Sequence, residues 1–192
     1  MAIARYTRTA MALHWIIAAL IALNVFLALT WDFYPDAGVR PAINLHKSIG
    51  ITVLALAIMR VLWRLTHRPP ALPPHHRGWE KVTAHAVHIL LYGILFGLPI
   101  TGWIMDSAYK DAPTHPMYWF GIFEWPRLPT VLALDPATKT MIHDSFAQVH
   151  GNLGLLLYFL VFLHIAGALK HQWIDRDREL MRMWPGRAGT KY

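Results

Sequence analysis

Histidine is the residue type that offers the most chemistry in this sequence. The chain of 192 residues contains twelve histidines and no cysteine. Without cysteine it can form no disulfide, iron–sulfur cluster, catalytic thiolate or covalent c-type haem attachment. A histidine inside a long apolar run is costly unless it has a partner, and it therefore indicates a functional site. Six histidines lie in or at the ends of such runs: His14, His46, His85, His88, His150 and His164.

The spacing of His150 and His164 predicts two metal centres at different depths. They are 14 residues apart, close to four helical turns, so both rings lie on one helix face about 21 Å apart along the axis. By depth, His46 would meet His150 in the outer leaflet, and His14 would meet His164 in the inner leaflet. Two imidazoles on one haem iron leave no open position, which is typical of electron transfer. The pattern therefore predicts two b haems with these four histidines as axial iron ligands, and no catalytic side chain.

Glycines near these histidines favour the same interpretation. Gly50 follows His46 by four residues, and Gly151 and Gly154 follow His150. A flat macrocycle between helices needs helix faces without side chains, which glycine provides. The alternative is ordinary helix packing through small residues, which is common in membranes.

The remaining histidines have separate interpretations. His171 lies seven residues beyond His164 on the same face, where it could donate a hydrogen bond to a quinone headgroup or simply reach the membrane interface. His88 could replace His14 or His164 as a ligand, or contact a propionate or the quinone. The role of His85 stays open. The histidines expected to be solvated in loops are His67, His75, His76, His115 and His143.

Haem propionates favour basic partners at the membrane surface. The candidates on the inner side are Arg5, Arg8, Arg60 and Lys81, and those on the outer side are Arg40 and Lys47. In addition, Asn24 lies inside an apolar run, which predicts an interhelical hydrogen bond.

Four apolar segments must position these residues. The composition is 55% hydrophobic and 15% charged, whereas soluble domains carry about 25% charged residues. Spans are predicted at about 11–31, 42–65, 82–105 and 148–169, each long enough for a bilayer. The first could be a signal peptide, but its apolar stretch is long and no clear cleavage site follows it. We therefore predict one all-α membrane domain over 1–192, a four-transmembrane-helix bundle enclosing two b haems.

The charges predict an orientation. The N-terminus, the second loop and the tail hold thirteen of the eighteen lysines and arginines, whereas seven of the eleven acids fall on the other side. The positive-inside rule places both termini in the cytoplasm. The net charge of +7 is accordingly a topology signal, and it indicates lipid rather than nucleic acid as the partner.

The two long loops differ in character. The second, residues 68–78, is rich in proline and predicts an extended connector. In the third, residues 113–129, aromatic residues cluster between prolines. That loop is interpreted either as a lid over the outer end of the bundle or as an ordinary aromatic belt at the interface.

Motifs along nearly the whole chain resemble the bacterial cytochrome b561 proteins. The matching runs are Tyr6 with Leu13-His14-Trp15, Arg40-Pro41 to Leu45-His46, Ala84 to His88, Leu98 to Gly102, His150, His164 to His171, and Leu180 to Pro185. The resemblance implies a four-helix dihaem cytochrome of the inner membrane, with axial ligands at His14, His46, His150 and His164. It also implies electron delivery to ubiquinone at the cytoplasmic side near His171. The third loop departs from the family pattern in being longer and more aromatic.

Three functions follow as hypotheses. At least one family member resembles a superoxide oxidase, so the first is a stand-alone enzyme passing electrons from periplasmic superoxide to ubiquinone. The second is a haem b membrane subunit linking a periplasmic dehydrogenase or hydrogenase to the quinone pool, with the aromatic loop as docking surface. The third, a metal transporter lined by histidines, is poorly supported because the spans carry almost no carboxylates.

Overall fold

Four long helices dominate the computed structural model, which describes residues 5–71, 76–177 and 179–186. Each is long and apolar enough to cross a membrane, and the predicted four-helix membrane bundle is confirmed. The last long helix continues as a wider turn over Lys170–Ile174. In chain order the elements are α1 (Arg8–Thr30), a short 3-10 turn (Trp31–Phe33), α2 (Asp36–Thr66), α3 (Gly78–Ser107), a second 3-10 turn (Ala112–Thr114), β1 (Tyr118–Trp119), β2 (Phe123–Glu124), α4 (Pro129–Leu132), α5 (Pro136–Leu169) and α6 (Glu179–Met183).

The helices begin at residues suited to capping. The Thr7 hydroxyl accepts a hydrogen bond from the Ala10 amide at 3.2 Å, which satisfies one of the unpaired amides at the start of α1. Asp135 accepts from two amides at the start of α5, and the first residue of that helix is proline, the position where proline is favoured. Local sequence therefore determines where α1 and α5 start.

The helices pack unequally around the bundle. Helix α3 packs along α5, α1 packs along α2, and α2 also touches α3, whereas α1 and α2 approach α5 less closely. One apolar core lies between α1 and α2 around Ile17, Ile49 and Val53. The other lies between α3 and α5 around Ile94 and Leu157. The bundle is thus wider along the side where α5 faces α1 and α2.

Large apolar side chains also cover the outside of the helices. Phe26, Ile89, Phe159 and Phe162 are each more than half exposed, and they lie on segments that can span a membrane. Such a surface is suited to contact with lipid chains.

The two ends of the bundle are built differently. We call the end with residues 5–7, 67–71, 76–77, 175–177 and 179–186 the tail end, and the end with residues 31–35 and 108–135 the hairpin end. The segment between α2 and α3 is called the connector. At the tail end the indole nitrogen of Trp15 donates to the Met183 carbonyl at 2.8 Å. Arg182 donates to the Pro70 and Ala71 carbonyls at 3.0 and 2.8 Å. These contacts join the start of α1, the connector and the C-terminal segment.

At the hairpin end, β1 and β2 form an antiparallel pair with Trp119 opposite Phe123. The turn between them places Phe120 and Gly121 at φ values of 49° and 72°, a conformation that costs energy at a non-glycine residue. The Phe120 amide donates to the buried Ser48 hydroxyl at 3.0 Å, which holds the strained residue in place. The aromatic loop is therefore docked on α2 at Ser48.

A buried ion cluster fixes the rest of that loop. The Asp106 carboxylate, at the end of α3, pairs with the Lys47 ammonium on α2 and with Arg127 Nε at 2.9 Å. The Arg127 guanidinium also donates to the Ala112 and His115 carbonyls, each at 2.7 Å. The Asp106 side chain is 3% exposed, so the carboxylate pairs with these two cations away from water.

Candidate functional site

Two histidines from different helices face each other at the hairpin end. The rings of His46 on α2 and His150 on α5 have centroids 6.2 Å apart and planes at 69°. His46 Nδ1 lies 3.2 Å from the Asn24 carbonyl oxygen, and His150 Nδ1 lies 3.1 Å from the Thr101 hydroxyl oxygen. If each Nδ1 carries the proton that these partners accept, Nε2 is left as the free electron-pair donor on both rings.

A second pair lies at the tail end. The rings of His14 on α1 and His164 on α5 have centroids 6.1 Å apart and planes at 76°. Among the described residues, neither ring makes a hydrogen bond. The same helix, α5, therefore supplies one member of each pair, while α1 and α2 supply the other members.

The distance in both pairs suits an iron between two imidazoles. With metal–nitrogen bonds of about 2 Å on each side and a ring radius of roughly 1 Å, the centroids should lie about 6 Å apart. The separations of 6.1 and 6.2 Å agree with this value, and the ligand type is right for a haem iron. The donor sets therefore fit a haem.

Glycines leave room beside the pairs. A Cβ added at Gly93, Gly151 or Gly154 would meet nothing within 4 Å, so the helix surface there is open. Gly50 lies against Asn24, whose Nδ2 would be 3.9 Å from an added Cβ. A flat ring between helices requires open faces beside the histidines, and among these glycines Gly154, about one helical turn after His150, meets that condition.

An apolar layer separates the two pairs. Ile94, Leu157 and Leu160 are buried together, and Ile21 and Val25 of α1 pack against them. Leu157 lies midway between the two histidines of α5, so this layer fills the centre of the bundle. It excludes water from the space between the two pairs.

His88 on α3 lies beside the tail-end pair. Its ring centroid is 5.3 Å from that of His164, which is too short for an iron between the two rings by the measure applied above. His85 Nδ1 lies 2.6 Å from the Lys81 carbonyl oxygen of its own helix. His88 therefore lies next to the tail-end pair. Its centroid distance to His164 is shorter than the distance within either pair.

The basic residues proposed for propionates have varied surroundings. Arg60 donates from Nε to the Tyr92 hydroxyl at 3.1 Å and from a terminal nitrogen to the Ala10 carbonyl at 3.0 Å. It lines a cavity of about 60 Å³ together with three further arginines, and the lining contains no acid. Lys81 is half-buried on the first turn of α3. At the other end, Arg40 lies over the Tyr109 ring at 5.9 Å, and Lys47 is held by Asp106.

His171 lies at the tail end among titratable groups. Its ring stacks on His76 with centroids 4.4 Å apart and planes at 20°. Its Nδ1 lies 2.7 Å from an Asp175 carboxylate oxygen and 3.7 Å from one of Asp177. The Lys170 ammonium, which donates to Asp175 at 2.6 Å, lowers the pKa of the Asp175 carboxyl below its usual value.

The expectation that His76 is solvated is wrong. Its side chain is 5% exposed, and Nε2 lies 2.8 Å from an Asp177 carboxylate oxygen. A residue 101 positions away in the sequence supplies this contact, so no local pattern could reveal it. His67 and His115 are exposed as expected, His143 is only half-exposed, and His75 lies outside the described residues.

The sequence also did not predict the hydrogen-bond partners of the two hairpin-end histidines. The predicted interhelical hydrogen bond of Asn24 exists, but the backbone carbonyl makes it, while the side-chain Oδ1 is buried without a partner among the described residues. Thr101 donates its hydroxyl proton to the Gly97 carbonyl at 2.7 Å, which leaves the oxygen to accept from His150. A threonine four residues after a glycine carries no sequence signal for such a role.

Comparison with known proteins gives a consistent result. The family model described as prokaryotic cytochrome b561 matches residues 5–186. Cytochrome b561 homolog 2 of Escherichia coli (strain K12) is 32% identical over 191 residues, which covers 98% of this chain and 95% of that protein. Cytochrome b561 homolog 1 of the same organism is 28% identical over 185 residues, covering 95% and 98%. The probable superoxide oxidase CybB of Yersinia pestis is 23% identical over 185 residues, covering 96% and 98%.

Proposed function

The chain belongs to the prokaryotic cytochrome b561 family, and from that premise we propose that it passes electrons from periplasmic superoxide to ubiquinone. Membership makes it a multi-pass bacterial membrane protein that binds haem b and transfers electrons across the membrane, as the sequence motifs predicted. The proposal adds the number of haems, the ligands, the donor, the acceptor and the orientation. The observation that carries it is that His150 and His164, both on α5, each face a histidine of another helix.

We assign the axial positions of two b haems to His46 with His150 and to His14 with His164. The centroid distances of 6.2 and 6.1 Å support this pairing over one that uses His88, whose ring is only 5.3 Å from His164. Bound haem would supply reversible one-electron chemistry. The four histidines would hold the two haem irons, and haem held by two imidazoles would supply electron transfer rather than binding of small ligands.

The neighbouring residues orient these histidines. The Asn24 carbonyl fixes the His46 ring, and the Thr101 hydroxyl fixes the His150 ring, each through Nδ1. Such partners set the tautomer and raise the basicity of the ligating nitrogen. The layer around Leu157 keeps water out of the bundle centre, so the environment between the two centres has a low dielectric constant.

We place the hairpin end on the periplasmic side and both termini in the cytoplasm, following the charge asymmetry. Superoxide is an anion, and a basic surface would raise its rate of encounter. Lys47 and Arg127 share the single Asp106 carboxylate, which leaves a local excess of one positive charge. Lys47 of this cluster follows His46 directly in the sequence. The cluster supports superoxide as the donor, although acids outnumber lysines and arginines on that side.

At the tail end we assign His171 and His88 to the quinone site. His171 lies in the wider turn that follows α5, seven residues after His164, and His88 lies next to His164 itself. The overall reaction balances: two superoxide anions each lose one electron to become oxygen, and ubiquinone takes two electrons and two protons to become ubiquinol. At the tail end Arg60 and Lys81 would bind haem propionates, and at the hairpin end Arg40 and Lys47 would bind them.

One observation favours a second function. Three apolar side chains of the hairpin, Phe120, Ile122 and Phe123, are 44%, 71% and 45% exposed. A periplasmic dehydrogenase or hydrogenase could dock on such a patch, and the chain would then be its haem b membrane subunit.

Stopped-flow mixing of the purified, haem-loaded protein with superoxide separates these functions. We expect rapid reduction of the haem absorption bands, followed by reoxidation when a ubiquinone analogue is added. The matched control is superoxide mixed first with superoxide dismutase, which should abolish the signal. If superoxide has no effect while a periplasmic dehydrogenase restores reduction, the second function is correct and the first is wrong.

A further inference from the structure

Three separate segments bring metal-binding side chains together at the tail end. His76 comes from the connector between α2 and α3, His171 from the last turns of α5, and Asp177 from the segment that follows. One ligand atom from each lies within 4.8 Å of the other two. His76 Nε2 is 2.8 Å and His171 Nδ1 is 3.7 Å from Asp177 Oδ2.

These distances fit a small tetrahedral ion. Bonds of about 2.0–2.1 Å from zinc to nitrogen or oxygen put neighbouring ligand atoms roughly 3.3 Å apart. The two measured separations fall on either side of that value, and the stacked rings of His76 and His171, whose planes lie at 20°, would have to turn before both nitrogens point at one ion. Two imidazoles and a carboxylate are also a common ligand set for zinc.

A second observation points to a missing partner. His171 Nδ1 is buried and makes no hydrogen bond among the described residues. The nearest carboxylate oxygen, from Asp175, is 2.7 Å away and makes a charge contact with the imidazole. Coordination to a cation would give this buried nitrogen a directed partner.

The surroundings are enclosed yet reachable. The side chains of His76, His171 and Asp177 are 5%, 17% and 8% exposed. His76 and Asp177 line an open cleft of about 380 Å³, together with the acids Glu80 and Asp175 and the cations Arg77 and Lys170. The nearby Lys170 ammonium is paired with both of those carboxylates, so its charge is compensated and does not repel an ion.

We propose that His76, His171 and Asp177 form a binding site for a divalent transition-metal ion of the zinc class. Asp175 or a water molecule would supply the fourth ligand. The ion would join two segments 101 residues apart and thus fix the connector against the end of α5. His171 is also assigned to the quinone site. A bound ion would prevent His171 from donating a hydrogen bond to the quinone, and only this last point rests on the proposed function.

The test uses the full-length, haem-loaded protein without an affinity tag, so that the four axial histidines are already engaged. Titration with Co²⁺ should produce the visible absorption of a tetrahedral complex, saturating at one ion per chain and displaced by Zn²⁺. His76→Ala and Asp177→Asn should each weaken binding about 10- to 100-fold. The matched control is His67→Ala, which removes an exposed histidine of the same connector and should leave binding unchanged.

The haem absorption spectrum reports whether each variant is folded. If Asp177→Asn loses haem, His76→Ala alone decides the matter, since His76 touches neither histidine pair. Binding of Co²⁺ by His76→Ala as tightly as by the unaltered protein would overturn the proposal, as would the lack of saturable binding. The titration involves neither superoxide nor quinone, so its result is independent of the proposed function.

Discussion

Gly102 on α3 lies directly against the imidazole of His150 on α5. A Cβ at position 102 would be 3.3 Å from His150 Cε1 and 3.5 Å from Nδ1. Those distances are short for a carbon contact, so a side chain at position 102 would have to displace the ring. A glycine of one helix thereby sets the position of a proposed iron ligand on another.

Replacing Gly102 should therefore disturb one haem selectively. We expect Gly102→Ala to shift the spectrum and the reduction potential of the hairpin-end haem, because the ring must tilt by a few tenths of an ångström. Gly102→Leu should abolish binding of that haem and reduce the haem content by about half. Pyridine haemochrome analysis and a redox titration measure both effects.

The control for this experiment is Gly78→Ala, at the start of the same helix, where an added Cβ meets nothing within 4 Å. It should leave both haems unchanged. Equal damage to both haems by Gly102→Ala would contradict a local effect on His150.

The proposed pairing predicts matched phenotypes. His46→Ala and His150→Ala should remove the same haem signal, and His14→Ala and His164→Ala should remove the other, because each iron loses one of its two ligands. Low-temperature optical spectra and electron paramagnetic resonance distinguish the two signals.

His88→Ala serves as the comparison for these variants. It should retain both low-spin signals, since its ring is too near His164 to share an iron with it. Loss of one signal in His88→Ala with retention in His14→Ala would mean that His88 is the ligand.

The Thr101 hydroxyl should tune the hairpin-end haem through His150. In Thr101→Val the Nδ1 proton loses its acceptor at 3.1 Å, and we expect a 10- to 100-fold loss in haem affinity together with a changed midpoint potential. Thr101→Ser keeps the hydroxyl and should behave like the unaltered protein. Equal potentials in the valine and serine variants would show that the hydrogen bond has no effect on the iron.

Removing the Asp106 charge should destabilise the hairpin end. In Asp106→Asn the Lys47 and Arg127 cations lose the carboxylate they share, and loss of one partner from a buried ion pair costs about 3–5 kcal/mol. Thermal unfolding in detergent should show a lower melting temperature, and limited proteolysis should cut faster within residues 108–135. Asp32→Asn, at an exposed acid of the same end, should change neither measurement.

The sequence alone predicted the parts of this structure that follow from repeated physical constraints. Apolar length defined four spans because a bilayer demands it, and the 14-residue spacing of His150 and His164 placed both on one face of α5. The depth of each span then indicated which histidines would come near one another. These inferences needed only helix geometry and membrane thickness.

Contacts that depend on distant parts of the chain were not predictable in this way. His76 is buried because Asp177 lies beside it, and the two are 101 residues apart. The Asp106 cluster joins α2, α3 and the long loop, although each of its charges resembles an ordinary surface residue in the sequence. The Asn24 carbonyl that orients His46 is a backbone group, which no residue type can signal.

The division of the histidines among the helices has a consequence for how the protein is made. Residues 150 and 164 both lie on the last long helix, while their partners lie on the first two. Under the proposed ligation, a nascent chain stopped before α5 would carry only His14 and His46 of the four ligands. Neither site could then be completed before the last long helix enters the bilayer, so haem loading would follow insertion rather than accompany it.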